Sequence, residues 1–172
     1  FEELPGVAAL LGVGSIQNSV EAIEDVQRRW KDKKHPKYAS FEDKNTVKLG
    51  GERILTTPEY YAYLKIAEGC DNLCAYCVIP SLRGKFRSRK MEDVLYEARL
   101  LADSGVKELI VVAQDTSRYG TDLPGHKRLL PELLHELCKI EELHWIRVHY
   151  VYPDEIDDAF IDCMAEQPKI VK

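Results

Sequence analysis

Three cysteines, Cys70, Cys74 and Cys77, fall in one short stretch, Glu68-Gly-Cys-Asp-Asn-Leu-Cys-Ala-Tyr-Cys-Val-Ile-Pro80, with the spacing C-x3-C-x2-C. Three thiolates from a single loop can ligate three corners of a cubic iron–sulfur cluster and leave the fourth iron open to bind and activate a small molecule. Two other chemistries draw on the same residues. Structural zinc takes four protein ligands, and no fourth Cys or His lies close by; His35 is the nearest upstream candidate. Cys74-Ala-Tyr-Cys77 alone has the form of a redox dithiol, which leaves Cys70 without a purpose. The cluster uses all three cysteines. A zinc-stabilised binding module is the alternative from a different class.

A loop of this kind needs a framework. Residues 61–67 alternate aromatic and aliphatic side chains and predict a strand that runs straight into the cysteines. Residues 91–104 predict a helix, with Glu92 and Asp93 at its positive end and Gly105 just past its last turn. Residues 109–113 form a continuous apolar run, the mark of a strand buried on both faces. Pro131 opens a second helix with Leu133, Leu134 and Leu137 on one side, and residues 145–152 predict a third strand. Pro153 and Asp154 begin a third helix whose core face is Ile156, Phe160 and Met164. Strands alternating with helices imply an α/β fold with a parallel sheet and right-handed crossovers. In such folds, sites lie at the C-terminal ends of strands. That is where the cysteine loop falls. It is also where Gln114 and Asp115 fall, either directed into the site mouth or capping their own loop. In the third strand Arg147 and His149 share one face, directed into the site or at neighbouring polar groups.

The first part of the chain reads differently. Residues 7–12 predict a buried strand, and Gly12-Val-Gly14 a turn, since the third glycine and the lysine of a phosphate loop are missing. Asn18 and Glu21 have capping-box spacing ahead of Val20, Ile23, Val26 and Trp30 at helical intervals. Residues 1–30 thus read as the end of an α/β domain, residues 31–58 as a linker or extended segment, and residues 59–172 as a separate βα region. Arg83, Lys85, Arg87, Arg89 and Lys90 make a basic stripe suited to phosphates, carboxylates or an interface. Cys138 and Cys163 sit within helical apolar patterns and read as core. His126, His135 and His144 have no catalytic companions nearby in sequence.

The chain has 172 residues, is 45% hydrophobic and 31% charged, and carries a net charge of −5, which excludes a wholesale electrostatic nucleic-acid binder. No apolar run reaches the length of a membrane span, and no export signal is visible. Clustered cysteines without an export signal read as metal ligands in a reducing, cytoplasmic setting. The sequence opens without Met, and its end reads as the start of another strand, as expected of a piece of a longer protein.

The cysteine spacing, with Tyr76 just before the last cysteine, resembles the cluster loop of the radical S-adenosylmethionine (SAM) enzymes. Residues 61–70, Val78-Ile-Pro-Ser-Leu-Arg-Gly84 and Arg87-Ser-Arg89 narrow the resemblance to the methylthiotransferase branch, well over residues 50–172 and weakly over residues 1–30. The resemblance implies a [4Fe–4S] cluster on Cys70, Cys74 and Cys77, with SAM bound at its open iron and contacted by Tyr76, Gln114, Asp115 and Arg147. It implies a partial (βα)6 barrel, of which residues 59–172 supply about three βα units, the N-terminal half. Residues 1–30 would be the C-terminal end of the N-terminal methylthiotransferase domain, whose upstream cysteines hold a second cluster in the full-length protein and are absent from this sequence. The family's C-terminal TRAM domain is absent as well. An electron donor such as flavodoxin or ferredoxin is implied, and no membrane partner. The segments Gln-Asp-Thr-Ser117 and Tyr-Val-Tyr-Pro153 resemble the branch that modifies an aspartate of ribosomal protein S-twelve through a 5′-deoxyadenosyl radical. The other branch modifies an adenosine of transfer RNA.

Overall fold

The computed structural model describes residues 3–32, 37–51 and 53–172; His35 lies outside the described residues. Two compact units are distinguished, residues 1–48 with Cys74–Gly84, and Leu49–Leu73 with Lys85–Lys172.

In the first unit, β1 (Ala9–Leu11) pairs in parallel with β2 (Tyr38–Ser40), and α1 (Ser19–Lys31) connects them. The strand expected over residues 7–12 is therefore shorter, and it is half-buried rather than buried, because a two-stranded sheet has little to cover it. Residues 38–40, within the stretch read as linker or extended segment, form β2. The chain turns at Gly12-Val-Gly14 into a 3-10 segment, and there it has no room for a side chain: a Cβ on Gly14 would lie 2.0 Å from the Glu42 carbonyl oxygen. Next to it, buried Ser15 accepts from the Glu42 amide at 2.8 Å and from the Ser40 hydroxyl at 2.9 Å.

The capping box expected at Asn18 does not form. A 3-10 segment, Val13–Asn18, already turns the chain into α1, and the Asn18 side chain donates instead to Glu42 Oε1 at 2.7 Å. The inward face of α1 carries Ala22 and Asp25, the latter held by Arg28 and Arg29 at 2.8 and 2.7 Å. Val20, Ile23 and Trp30 are exposed. A short helix α2 (Ile79–Arg83), with Pro80 in its first turn, completes the unit.

The second unit is built on three parallel strands in sequential order, β3 (Tyr61–Lys65), β6 (Glu108–Val112) and β7 (Trp145–Val148). A small antiparallel pair, β4 (Ala67–Glu68) and β5 (Arg87–Ser88), stands at the exit of β3. Helix α3 (Met91–Asp103) joins β3 to β6, α4 (Leu130–Cys138) joins β6 to β7, and α5 (Asp158–Glu166) follows β7. Past β7, Ile170 bridges Ile146 in parallel, with the Val171 amide donating to the Ile146 carbonyl at 2.9 Å.

Strand alternation divides the sheet into two faces. Ala62, Leu64, Leu109, Val111 and Ile146 lie on one face and are fully buried with Val94, Ala98, Leu133, Leu134 and Leu137 of α3 and α4. Full burial of each such leucine is worth about 2 kcal/mol. The other face carries Tyr61, Tyr63, Lys65, Glu108, Ile110, Val112, Trp145 and Arg147, and its aromatics Tyr63 and Trp145 are exposed.

α3 closes as the sequence predicts: Ser104 is the C-cap and Gly105 follows at φ 107°, a left-handed conformation that glycine adopts without strain. β7 is shorter than the strand expected over residues 145–152. Tyr150 takes φ 61°, and the bend is tied by the Thr116 amide donating to the Tyr150 carbonyl at 3.0 Å and the Thr116 hydroxyl donating to the His149 carbonyl at 2.9 Å. The third helix starts later than expected. Pro153–Glu155 makes only a 3-10 turn, and α5 begins where Asp157 accepts from the Phe160 amide at 2.9 Å. Its core contact is Cys163 with Phe160 and Met164, whereas Ile156 is exposed.

Candidate functional site

β3 leads through Ile66 into β4, the Ile66 amide still donating to Val112 at 3.0 Å, so the chain enters the cysteine segment anchored to the end of β6. Glu68, 4% exposed, sits two residues before Cys70. Its Oε1 accepts from the Gly69 amide at 3.1 Å and from Gln114 Nε2 at 2.7 Å, and its other oxygen pairs with Lys65. Cys70 is buried, and its sulfur accepts the Asn72 amide at 3.4 Å. Asp71 accepts from the Phe86 amide at 3.1 Å. Asn72 Nδ2 donates to Asp115 Oδ2 at 2.8 Å, and Asn72 Oδ1 accepts from Arg118 at 3.2 Å. Asp115, 2% exposed, also accepts from the Ser117 amide at 3.1 Å and from the Ser117 hydroxyl.

Gln114 and Asp115 thus stand at the C-terminal end of β6, as expected, and both reach the segment around Cys70. Of the two readings offered by the sequence for Asp115, the loop cap is the one its bonds to Ser117 form. Gln114 keeps a further capacity: its Oε1 is buried and has no hydrogen-bond partner. A buried acceptor without a donor costs about 1–3 kcal/mol, and a bound ammonium group would satisfy it.

In the first unit, the Cys77 amide donates to the Cys74 carbonyl at 3.0 Å in a tight turn, both cysteines are partly exposed, and Tyr76 is 93% exposed. None of the five cysteines is in a disulfide. Among the described residues no group of three or more His, Cys, Asp and Glu side chains is gathered as a metal site. The donor set nevertheless suits an iron–sulfur cluster: three thiols within eight residues, one receiving a backbone N–H, the kind of bond that tunes cluster sulfurs.

Arg147 lies on the less covered sheet face and pairs with Glu108 at 2.8 Å, at the opposite end of β6 from Gln114. Arg89 belongs to the fold rather than to an exposed basic stripe. It is 6% exposed, pairs with Glu97 at 2.5 Å and donates to the Lys65 carbonyl at 2.8 Å and the Asp93 carbonyl at 3.1 Å. Cys163 is core, as read; burial pushes its thiol up to about 11, with Cys138 and Glu166 adding to the shift. Burial raises the Cys138 thiol too, against the nearby Lys169.

The sequence profile of the Radical SAM superfamily matches residues 64–171. The chain belongs to the radical SAM superfamily. The match begins inside β3 and takes in the cysteine loop, the Gln114–Asp115 turn and β7. Among curated proteins, this radical SAM chain is 53% identical over all of its 172 residues to the ribosomal protein uS12 methylthiotransferase RimO of Caldanaerobacter subterraneus subsp. tengcongensis, of which it covers 38%. It is 48% identical over 172 residues to the protein of the same name from Thermoanaerobacter sp., again covering 38%. The chain therefore spans less than two-fifths of the length of these relatives. A solved structure of the radical SAM methyltransferase TsrM from Kitasatospora setae superposes at a TM-score of 0.49 with 19% identity, over 64% of this chain and 21% of that one.

Two residues of the site were missed by sequence reasoning, Glu68 and Asn72. Both flank Cys70 at a distance of two residues. The signal available was chemical: a buried loop must pair its amides, and Asp or Asn beside a turn commonly does so.

Proposed function

We propose that the chain is part of a radical SAM methylthiotransferase of the RimO type, which adds a methylthio group to the β-carbon of an aspartate of ribosomal protein uS12. The observation that carries this reading is 53% identity along the entire chain to a curated RimO, with the three-cysteine loop inside the superfamily match. Cys70, Cys74 and Cys77 hold a [4Fe–4S] cluster. When bound and reduced, the cluster supplies an electron for cleavage of SAM and an open iron for the SAM amino and carboxylate groups. Gln114, its Nε2 fixed by Glu68, presents Oε1 to accept a hydrogen bond from an N–H of the SAM amino group. Tyr76, in the same loop as the cysteines, contacts the rest of SAM. Arg147 and Glu108 form a charged pair on the sheet face that becomes the interior when further βα units close a (βα)6 barrel. Residues 1–30 belong to the end of the N-terminal methylthiotransferase domain. Electrons arrive from a small donor such as flavodoxin or ferredoxin.

Anaerobic reconstitution with iron and sulfide, followed by electron paramagnetic resonance of the reduced protein with and without SAM, tests the cofactor assignment. A [4Fe–4S]+ signal that changes on adding SAM is expected, and Cys70→Ala, Cys74→Ala or Cys77→Ala removes it. Stoichiometric zinc with no iron or sulfide overturns the reading in favour of a binding module. In the full-length enzyme the methylthio mass is expected on a uS12 peptide; its appearance on an adenosine of transfer RNA would reassign the substrate.

A further inference from the structure

The turn that follows β6 does more than cap itself. Two adjacent side chains reach back to the same short segment and take hold of it on both sides of Cys70. Gln114 binds Glu68, two residues before the cysteine, and Asp115 binds Asn72, two residues after it. On the second side the chain of contacts is continuous: Asp115 Oδ2 receives Asn72 Nδ2 at 2.8 Å, and the Asn72 amide donates to Cys70 Sγ at 3.4 Å. Arg118 grips the remaining Asn72 oxygen at 3.2 Å, so the Asn72 side chain has donor and acceptor both occupied. Asp115 is itself locked, 2% exposed, by the Ser117 amide and hydroxyl.

We infer that Asp115 is a positioning residue for Cys70: through Asn72 it aims a backbone N–H at the cysteine sulfur, presetting the loop for its cofactor and tuning that cofactor once bound. The inference rests on the proposed cluster for its second half alone; the first half concerns the polypeptide. The physical reason is general. An N–H donated to a ligand sulfur offsets part of its negative charge, which favours the reduced form of a cluster and raises its potential. Residues that orient a ligand without touching the metal carry much of a site's affinity and tuning. The register makes the arrangement possible: β3 and β6 are adjacent and parallel, so the turn after one lies beside the loop after the other.

The test uses the whole protein without metal and after reconstitution. In the metal-free protein, hydrogen exchange at the Asn72 amide and the rate of Cys70 alkylation are measured by mass spectrometry. Asp115→Ala is expected to speed both by about tenfold, the size of one lost hydrogen bond. Asp115→Asn, whose single acceptor oxygen can serve Asn72 or Ser117 but not both, is expected to restore only part of the protection. Asn72→Ala, which spares the buried Asp115–Ser117 contacts, is expected to match Asp115→Ala, and the double variant to add nothing further. After reconstitution, Asp115→Ala is expected to lower the cluster's midpoint potential at unchanged iron content. Unchanged exchange and alkylation in both single variants would overturn the inference, as would an equal acceleration at Cys138 and Cys163, which would report general unfolding. Wild-type protein that takes up no iron and sulfide would overturn the proposed function and leave the positioning of Cys70 to stand on the metal-free data.

Discussion

Arg89 offers the sharpest test of how the second unit is held. Its side chain is 5% exposed and its partner Glu97 is 15% exposed, so Arg89→Met leaves a carboxylate largely out of water. Three hydrogen bonds go with the guanidinium: to Glu97, to the Lys65 carbonyl at the end of β3, and to the Asp93 carbonyl in the first turn of α3. Breaking a buried pair by removing one partner costs about 3–5 kcal/mol. Glu97 keeps a second cation, Arg53, at 3.1 Å. Arg53 is 37% exposed and worth less, which places the expected loss near the lower end, about 3 kcal/mol. For a chain of this size that is a fall in Tm of roughly 6–12 °C. Urea titration followed by circular dichroism measures the free-energy loss, and a thermal melt the fall in Tm. Arg89→Met with Glu97→Leu is the control. With no stranded carboxylate, the double variant is expected to be more stable than Arg89→Met alone by about 1–2 kcal/mol. A single variant that costs under about 1 kcal/mol, or a double variant that costs the sum of the two singles, refutes the view of Arg89 as a buried, paired residue.

Other outcomes follow from the same geometry. Asp157→Ala removes the acceptor for the Phe160 amide at the start of α5 and is expected to cost about 1 kcal/mol in the same titration. Cys163 holds its proton up to about 11 when folded, against an ordinary thiol value of 9.0, so the folded state binds more protons between the two. Its contribution is therefore complete below pH 9, declines as pH rises from about 9 to 11, and changes no further above that; Cys163→Ala is expected to flatten that part of the stability profile. Cys138→Ala is expected to leave iron and sulfide content at the wild-type level after reconstitution, while Cys74→Ala lowers both.

The βα rhythm from residue 61 onward was legible because each strand and helix carries a redundant signal. The run 109–113 is apolar throughout, and Leu133, Leu134 and Leu137 share a helical face that the fold buries completely. Ends were less legible. The stop of β7 depends on Tyr150 adopting a positive φ, a conformation imposed by Thr116 from another part of the chain and marked by no glycine. The start of α1 depended on Glu42, 24 residues away, which draws the Asn18 side chain from its cap. The cysteine loop was picked out by its spacing alone. Its support was not, since Glu68 and Asn72 become meaningful only when the turn after β6 arrives beside them. Arg89 was not singled out for a related reason: in a line of basic residues nothing marks the one that Glu97, eight residues on, pairs with inside the fold.

Sequential strand order has a consequence for how this polypeptide is made. Each strand of the three-stranded parallel sheet pairs with the strand of that sheet synthesised before it, from β3 to β6 to β7 and on to Ile170. No earlier pairing has to be undone to admit a later strand, so the sheet can grow along one edge in step with translation, each nascent βα segment docking on a template already in place. The growing edge stays unpaired until its next strand emerges, and an unpaired edge is the part of a sheet most open to association with another chain. A pause in synthesis after any of these strands would thus prolong the exposure of an open edge, and uninterrupted elongation would shorten it.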